Sequence, residues 1–139
     1  KVLGDGEDRD KLTNKAKKLQ IDQKIEFLGF KPNPYNIVKA AKFTVLTSKY
    51  EGFPRVLIES LALGVPVVSV NCMSGPDEII VDAKNGLLVE NYNVKVLASA
   101  LNRMINDKEL YLNCKSNAET SVNKFSKENI GLQWQNILK

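Results

Sequence analysis

Short apolar runs alternate along this chain with stretches in which apolar residues recur at helical spacing. Val2-Leu3 reads as the end of a strand. The loop Gly4-Asp5-Gly6 follows, then an amphipathic helix from about Asp8 to Leu19 with Leu12, Ala16 and Leu19 on one face. Ile25 to Leu28 is a second strand, ended by Gly29. Asn33 and Pro34 suit the N-cap and first position of a short helix reaching Ala41. Phe43 to Leu46 is a third strand. Pro54 at the start and Gly64 just past the end bracket the next helix, and Pro66 enforces the stop. Val67–Val70 and Gly86–Val89 are further strands. Helices follow at about Val94–Asn106 and Lys108–Asn123, and a last one runs from Ser126 to the end.

Strands that alternate with helices, several of them apolar on both faces, imply a parallel sheet covered on both sides. The expectation is one doubly wound, three-layer α/β/α domain of Rossmann-like type over residues 1–139, with a sheet of about five strands. Ligands of such sheets sit beyond the carboxyl ends of the strands. That makes loops 4–7, 29–34, 47–54 and 71–77 the candidate rim.

Composition narrows the chemistry. With 43% hydrophobic and 26% charged residues the chain is globular, and no apolar run approaches the ~18 residues of a membrane span. It opens on Lys1 rather than Met and runs almost directly into a strand, so it reads as starting in mid-protein. The net charge of +4 suits an anionic ligand or a weak pull toward an acidic membrane surface. Basic residues are scattered without interleaved aromatics, which argues against nucleic acid. Cys72 and Cys114 lack metal or redox spacing and read as free thiols of a reducing, cytoplasmic compartment. The absence of histidine removes Ser-His and Cys-His nucleophilic catalysis and His-based zinc sites within this chain.

Two acidic residues stand out. Glu59 is the lone acid in the otherwise apolar helix Pro54–Leu63, and a buried carboxylate needs hydrogen-bond donors such as sugar hydroxyls. The competing reading pairs Glu59 with Arg55 one turn earlier, and local pattern alone favours it. Glu51-Gly52-Phe53 precedes the same helix. Its free N–H groups would bind phosphate, Gly52 admits a ligand close to the backbone, and the N–H groups of Phe53, Arg55, Val56 and Leu57 are the candidate donors. Alternatively, Glu51 merely complements the helix dipole.

The segment E-G-F-P-R-V-L-I-E at 51–59, followed by A-L-G-V-P-V-V at 62–68, resembles the signature of family 4 glycosyltransferases of GT-B fold. Ordered matches support it: G-D-G-E-D-R at 4–9, F-L-G-F at 27–30, K-P-N-P at 31–34, G-P-D-E-I at 75–79 and N-G-L-L-V at 85–89. The resemblance implies the C-terminal, donor-binding domain of a retaining hexosyltransferase taking a nucleotide-sugar, UDP being the expected nucleotide. Glu51 would then contact the donor sugar as the catalytic position. Backbone amides from Gly52, Phe53, Arg55, Val56 and Leu57 would hold sugar and diphosphate. Glu59 would take the ribose hydroxyls, Phe30 and Lys31 would line the base site, and Gly4 and Gly6 would allow close approach.

No cofactor or metal is implied. The family's basic Arg-Lys pair on the diphosphate, the first strand and helix of the domain and the N-terminal domain that binds a glycan or lipid-linked acceptor would lie upstream of Lys1. Peripheral contact with the inner membrane face belongs to that full-length picture. On its own, the fragment is expected to be inactive. Ser60-Leu61 replaces the family's usual Ala-Met, a small packing change.

Three weaker signals read as structural. Gly4-x-Gly6 lacks the third glycine of the dinucleotide fingerprint. Asp8-Arg9-Asp10 opens a helix rather than holding a metal, and Gly75–Glu78 reads as a helix cap, contact with the donor being the alternative. Competing functions are a non-catalytic module of the same fold that binds a nucleotide-sugar or a protein, and a GT-B epimerase or phosphorylase.

Overall fold

A computed structural model describes residues 1–138, which fall into two compact units, 1–36 and residue 37 onward, the passage between them falling within one short helix. In the first unit β1 (Val2–Leu3) runs parallel to β2 (Phe27–Gly29), with α1 (Arg9–Lys18) between them in sequence. A turn of 3-10 helix at Asp22–Lys24, not foreseen from the pattern, delays the second strand by two residues. Among the described residues of this unit, only Ala16 and Gly29 are buried. Leu12 and Leu19, expected on the packed face, are 47% and 59% exposed. So few residues cannot cover both faces of even a two-stranded ladder.

The chain leaves this unit within α2 (Tyr35–Lys39), where the Asn33 carboxamide oxygen accepts from the Tyr35 N–H at 3.2 Å, as an Asx cap does. The second unit holds the main core. Its parallel sheet has the order β3 (Thr44–Leu46), β4 (Val67–Asn71), β5 (Gly86–Glu90). The five strands therefore divide into a pair and a triplet, where the pattern suggested one sheet; apolar runs mark strands without saying which of them pair.

β4 is central and buried over its first four residues. Alternation sends Val68 and Val70 to one face with Leu87, Val89, Ala100, Met104, Leu110 and Cys114. Val67 faces the other way, into a cluster with Leu57, Leu61, Ile79, Ile80, Ala118 and Val122. One layer is thus built by α5 (Val94–Asn106) and the first half of α6 (Lys108–Ser121). The other is built by α3 (Arg55–Ala62), α4 (Pro76–Ile79) and the end of α6. Each fully buried Leu adds about 1.5–3 kcal/mol. Parallel strands with helices on both faces are the α/β architecture that the alternating pattern implies.

After a 3-10 turn at Asn123–Phe125 comes α7 (Lys127–Ile137), capped by the Ser126 hydroxyl on the Asn129 N–H at 3.2 Å. Among the described residues, no helix is long and apolar enough to cross a membrane.

Candidate functional site

The carboxyl end of the triplet sheet is shaped by the link from β3 to α3. Beyond the ends of β3 and β4, Tyr50 pairs with Met73 in a lone parallel bridge, and the Glu51 N–H reaches the Met73 carbonyl at 3.4 Å. Glu51 is thereby held at the carboxyl edge of the sheet, half-buried. The next residues are Gly52 and Phe53, and then Pro54, at φ −78° and ψ 76°, makes an inverse γ-turn. Its signature is the Arg55 N–H donating to the Phe53 carbonyl at 2.8 Å.

That turn shifts the start of α3 one residue past Pro54 and redistributes the expected donors. The Arg55 N–H is engaged with Phe53, and the Leu57 N–H donates to the Pro54 carbonyl at 2.9 Å. Among the described residues no protein acceptor meets the N–H groups of Gly52, Phe53 or Val56. These three remain open to a ligand at the amino end of an eight-residue helix, where the helix dipole favours negative charge.

The helix is apolar nearly all round in sequence but buried on one face only. Leu57, Ser60 and Leu61 are buried, while Val56 is exposed and Glu59 half-buried. The premise of a fully buried Glu59 is therefore corrected: eight residues lying against one sheet face cannot be covered on the other. One Glu59 oxygen lies 3.5 Å from an Arg55 nitrogen, with side-chain exposures of 34% and 82%. So exposed an i,i+4 pair is worth about 0.3–0.5 kcal/mol and does not account for placing an acid here.

Loop 71–77, part of the expected rim, supplies the neighbours of this edge. Burial pushes the Cys72 thiol above its ordinary value; a backbone hydrogen bond lowers it, and the carboxylates of Glu51 and Asp77 raise it further. Glu51, Cys72 and Asp77 thus share one neighbourhood. Gly75 is the N-cap of α4, as the cap reading of Gly75–Glu78 expected, and at its φ of +105° a Cβ would stand 2.4 Å from Pro54 Cδ. Two loops pass this closely only because Gly75 has no side chain.

The first unit places Gly4 and Gly6 around a hollow of about 270 Å³ lined also by Val2, Leu3, Leu12 and Phe27. Gly4 adopts φ +105° and donates to the Gly29 carbonyl at 3.0 Å; Gly29, at φ +67°, lies just before the exposed Phe30 and Lys31. Asp8 and Asp10 sit at the start of α1, where the sequence reading put them, with Asp8 paired to Lys11 at 3.2 Å and Arg9 to Asp5 at 3.2 Å. Among the described residues, no three Cys, Asp or Glu side chains converge as a metal set.

Comparison with known proteins adds the following. Residues 1–121 match the family model described as glycosyl transferases group 1. The chain is 31% identical over 138 residues to an uncharacterized glycosyltransferase of Haemophilus influenzae, taking in 99% of this chain and 39% of that protein. It is 37% identical over 129 residues to the N-acetylgalactosamine-N,N'-diacetylbacillosaminyl-diphospho-undecaprenol 4-alpha-N-acetylgalactosaminyltransferase of Campylobacter jejuni, covering 93% of this chain and 35% of that one. The crystal structure of Anabaena HepE in complex with UDP superposes with a TM-score of 0.87 at 27% identity, over 98% of this chain and 39% of that chain. The chain thus spans between a third and two fifths of the length of these proteins.

Proposed function

The chain belongs to the group 1 glycosyl transferases, and from that premise we propose that it is the C-terminal, donor-binding part of a family 4 retaining hexosyltransferase that takes a UDP-sugar. The observation that carries this reading is the turn before α3. Three unpartnered N–H groups, of Gly52, Phe53 and Val56, sit at a helix amino end with one carboxylate, Glu51, just before it and another, Glu59, on the helix. Amides and helix dipole suit a diphosphate; carboxylates suit hydroxyls, Glu51 those of the sugar and Glu59 those of the ribose. In the first unit, Gly4 and Gly6 are proposed as close-approach positions and Phe30 and Lys31 as base-binding ones, on the family resemblance alone.

In this scheme the UDP leaves as an acceptor hydroxyl attacks on the same face of the sugar. The preorganised amides stabilise charge growing on the departing phosphate, as fixed donors aimed at developing charge do. No metal is called for. The UDP complex of HepE supports the choice of nucleotide, and the name of the Campylobacter relative supports a lipid-linked glycan acceptor, met at a membrane surface by the rest of a longer protein.

Calorimetry with UDP tests the assignment. Glu59→Ala is expected to weaken UDP binding by about 1.5–3 kcal/mol, the range for a hydrogen bond to a charged group, with little change in melting temperature. In the full-length protein, Glu51→Gln is expected to cut transfer far more than UDP affinity. Unchanged UDP binding in Glu59→Ala, or equal losses of transfer and affinity in Glu51→Gln, would overturn the respective role.

A further inference from the structure

We propose that Phe125 is a positioning residue for the donor turn, acting through Phe53. The proposal rests on the donor-site reading above, yet Phe125 lies beyond residues 1–121, where the family match ends. The rings of Phe53 and Phe125 meet edge to face, with centroids 5.6 Å apart and planes at 69°. Such a contact fixes orientation as well as burying area, because one ring edge addresses the other's face.

Phe125 is itself held firmly. It ends the 3-10 turn that follows α6, with its N–H on the Val122 carbonyl at 2.9 Å, and it packs against the core cluster of Leu57 and Leu61. Lys124 ties the same turn to the end of α4, donating to the Glu78 carbonyl at 2.7 Å, with its ammonium 4.8 Å from the Phe125 ring centre. Gly75 also meets the donor turn, its Cβ position 2.4 Å from Pro54 and 3.5 Å from Phe53. Gly52 has no side chain, and its N–H and that of Phe53 bond to nothing in the described protein. Their direction therefore depends on what grips Phe53 and Pro54. Gly75 and Phe125 do so from residues that the donor motif does not contain.

Two variants in the intact protein, compared with wild type, test this: Phe125→Leu, which keeps most of the buried volume without the aromatic edge, and Phe125→Tyr, which restores the edge. Two readouts are taken. The first is hydrogen exchange of the Arg55 amide, which closes the γ-turn, against the Leu61 amide in the helix interior. The second is UDP affinity by calorimetry. The Leu variant is expected to speed Arg55 exchange about three- to tenfold relative to Leu61, and to weaken UDP binding by a similar factor, with both restored by Tyr. Unchanged Arg55 exchange in the Leu variant overturns the proposal, and so does a rise shared equally by Leu61. If wild type itself does not bind UDP, the donor-site reading falls, while the exchange comparison still decides whether Phe125 holds the turn.

Discussion

A methyl group at Gly75 would stand 2.4 Å from Pro54 Cδ, on a backbone whose φ of +105° already disfavours any L side chain. Gly75→Ala is therefore expected to cost about 2–4 kcal/mol, combining left-handed strain with overpacking. Denaturant titration reads this as a lower midpoint with the slope unchanged. A loss under about 1 kcal/mol would show that the two loops part easily, and that Gly75 does not grip the donor turn. At this scale the sequence marked Glu51 and Glu59 through their spacing. Cys72 and Phe125 were silent and Gly75 was marked only as part of a helix cap, because their further roles depend on what approaches them from elsewhere in the chain.

Among the elements, α3 shows both what local sequence fixes and what it misses. Its end follows the pattern read from Gly64 and Pro66: Gly64 takes φ +73°, its N–H bonds to the Leu61 carbonyl at 2.9 Å, and the Val65 N–H bonds to the Ser60 carbonyl at 3.1 Å. That is a Schellman ending, which a glycine one residue past the helix allows at no steric cost. Its start departs from the pattern, since Pro54 forms a γ-turn before the first helical residue. Ser60, read as a minor packing change, is fully buried; its hydroxyl donates to the Val65 carbonyl at 3.1 Å and accepts from Thr44 Oγ at 2.8 Å, tying α3 to β3. Ser60→Ala alone should cost about 1–3 kcal/mol by stranding Thr44, whereas Ser60→Ala with Thr44→Val should recover much of that loss. Strictly additive losses in the double variant would show that the two hydroxyls do not depend on each other.

Across the molecule, burial makes an alkaline limit. The Cys114 thiol is pushed up to about 11 from 9.0, chiefly by burial and further by Asp82, with Arg103 pulling the other way. Between those values the unfolded chain has lost a proton that the folded chain keeps. Stability from this group is complete below pH 9 and falls as pH rises toward 11, by up to about 1.4 kcal/mol per unit. Cys114→Ala is expected to flatten that slope whatever its effect at neutral pH, because the other groups titrating there are common to both proteins. Equal slopes from pH 9 to 11 would mean that the thiol is not insulated.

The order of strands and helices, their parallel α/β character and the Glu51–Glu59 motif were determined by the sequence alone. Each rests on local physics: apolar periodicity, the φ limits of proline and glycine, and residue types at fixed spacing. Tertiary structure decided the rest. It chose which strands pair, splitting five into a pair and a triplet. It left Leu12 and Leu19 exposed and Glu59 half-buried, because burial depends on what covers a face rather than on the face's own pattern. It consumed two of the four expected donors through one proline turn, and it brought Gly75 and Phe125 against that turn. Contacts between residues so distant in the chain leave no local trace in sequence, since no periodicity or propensity encodes them.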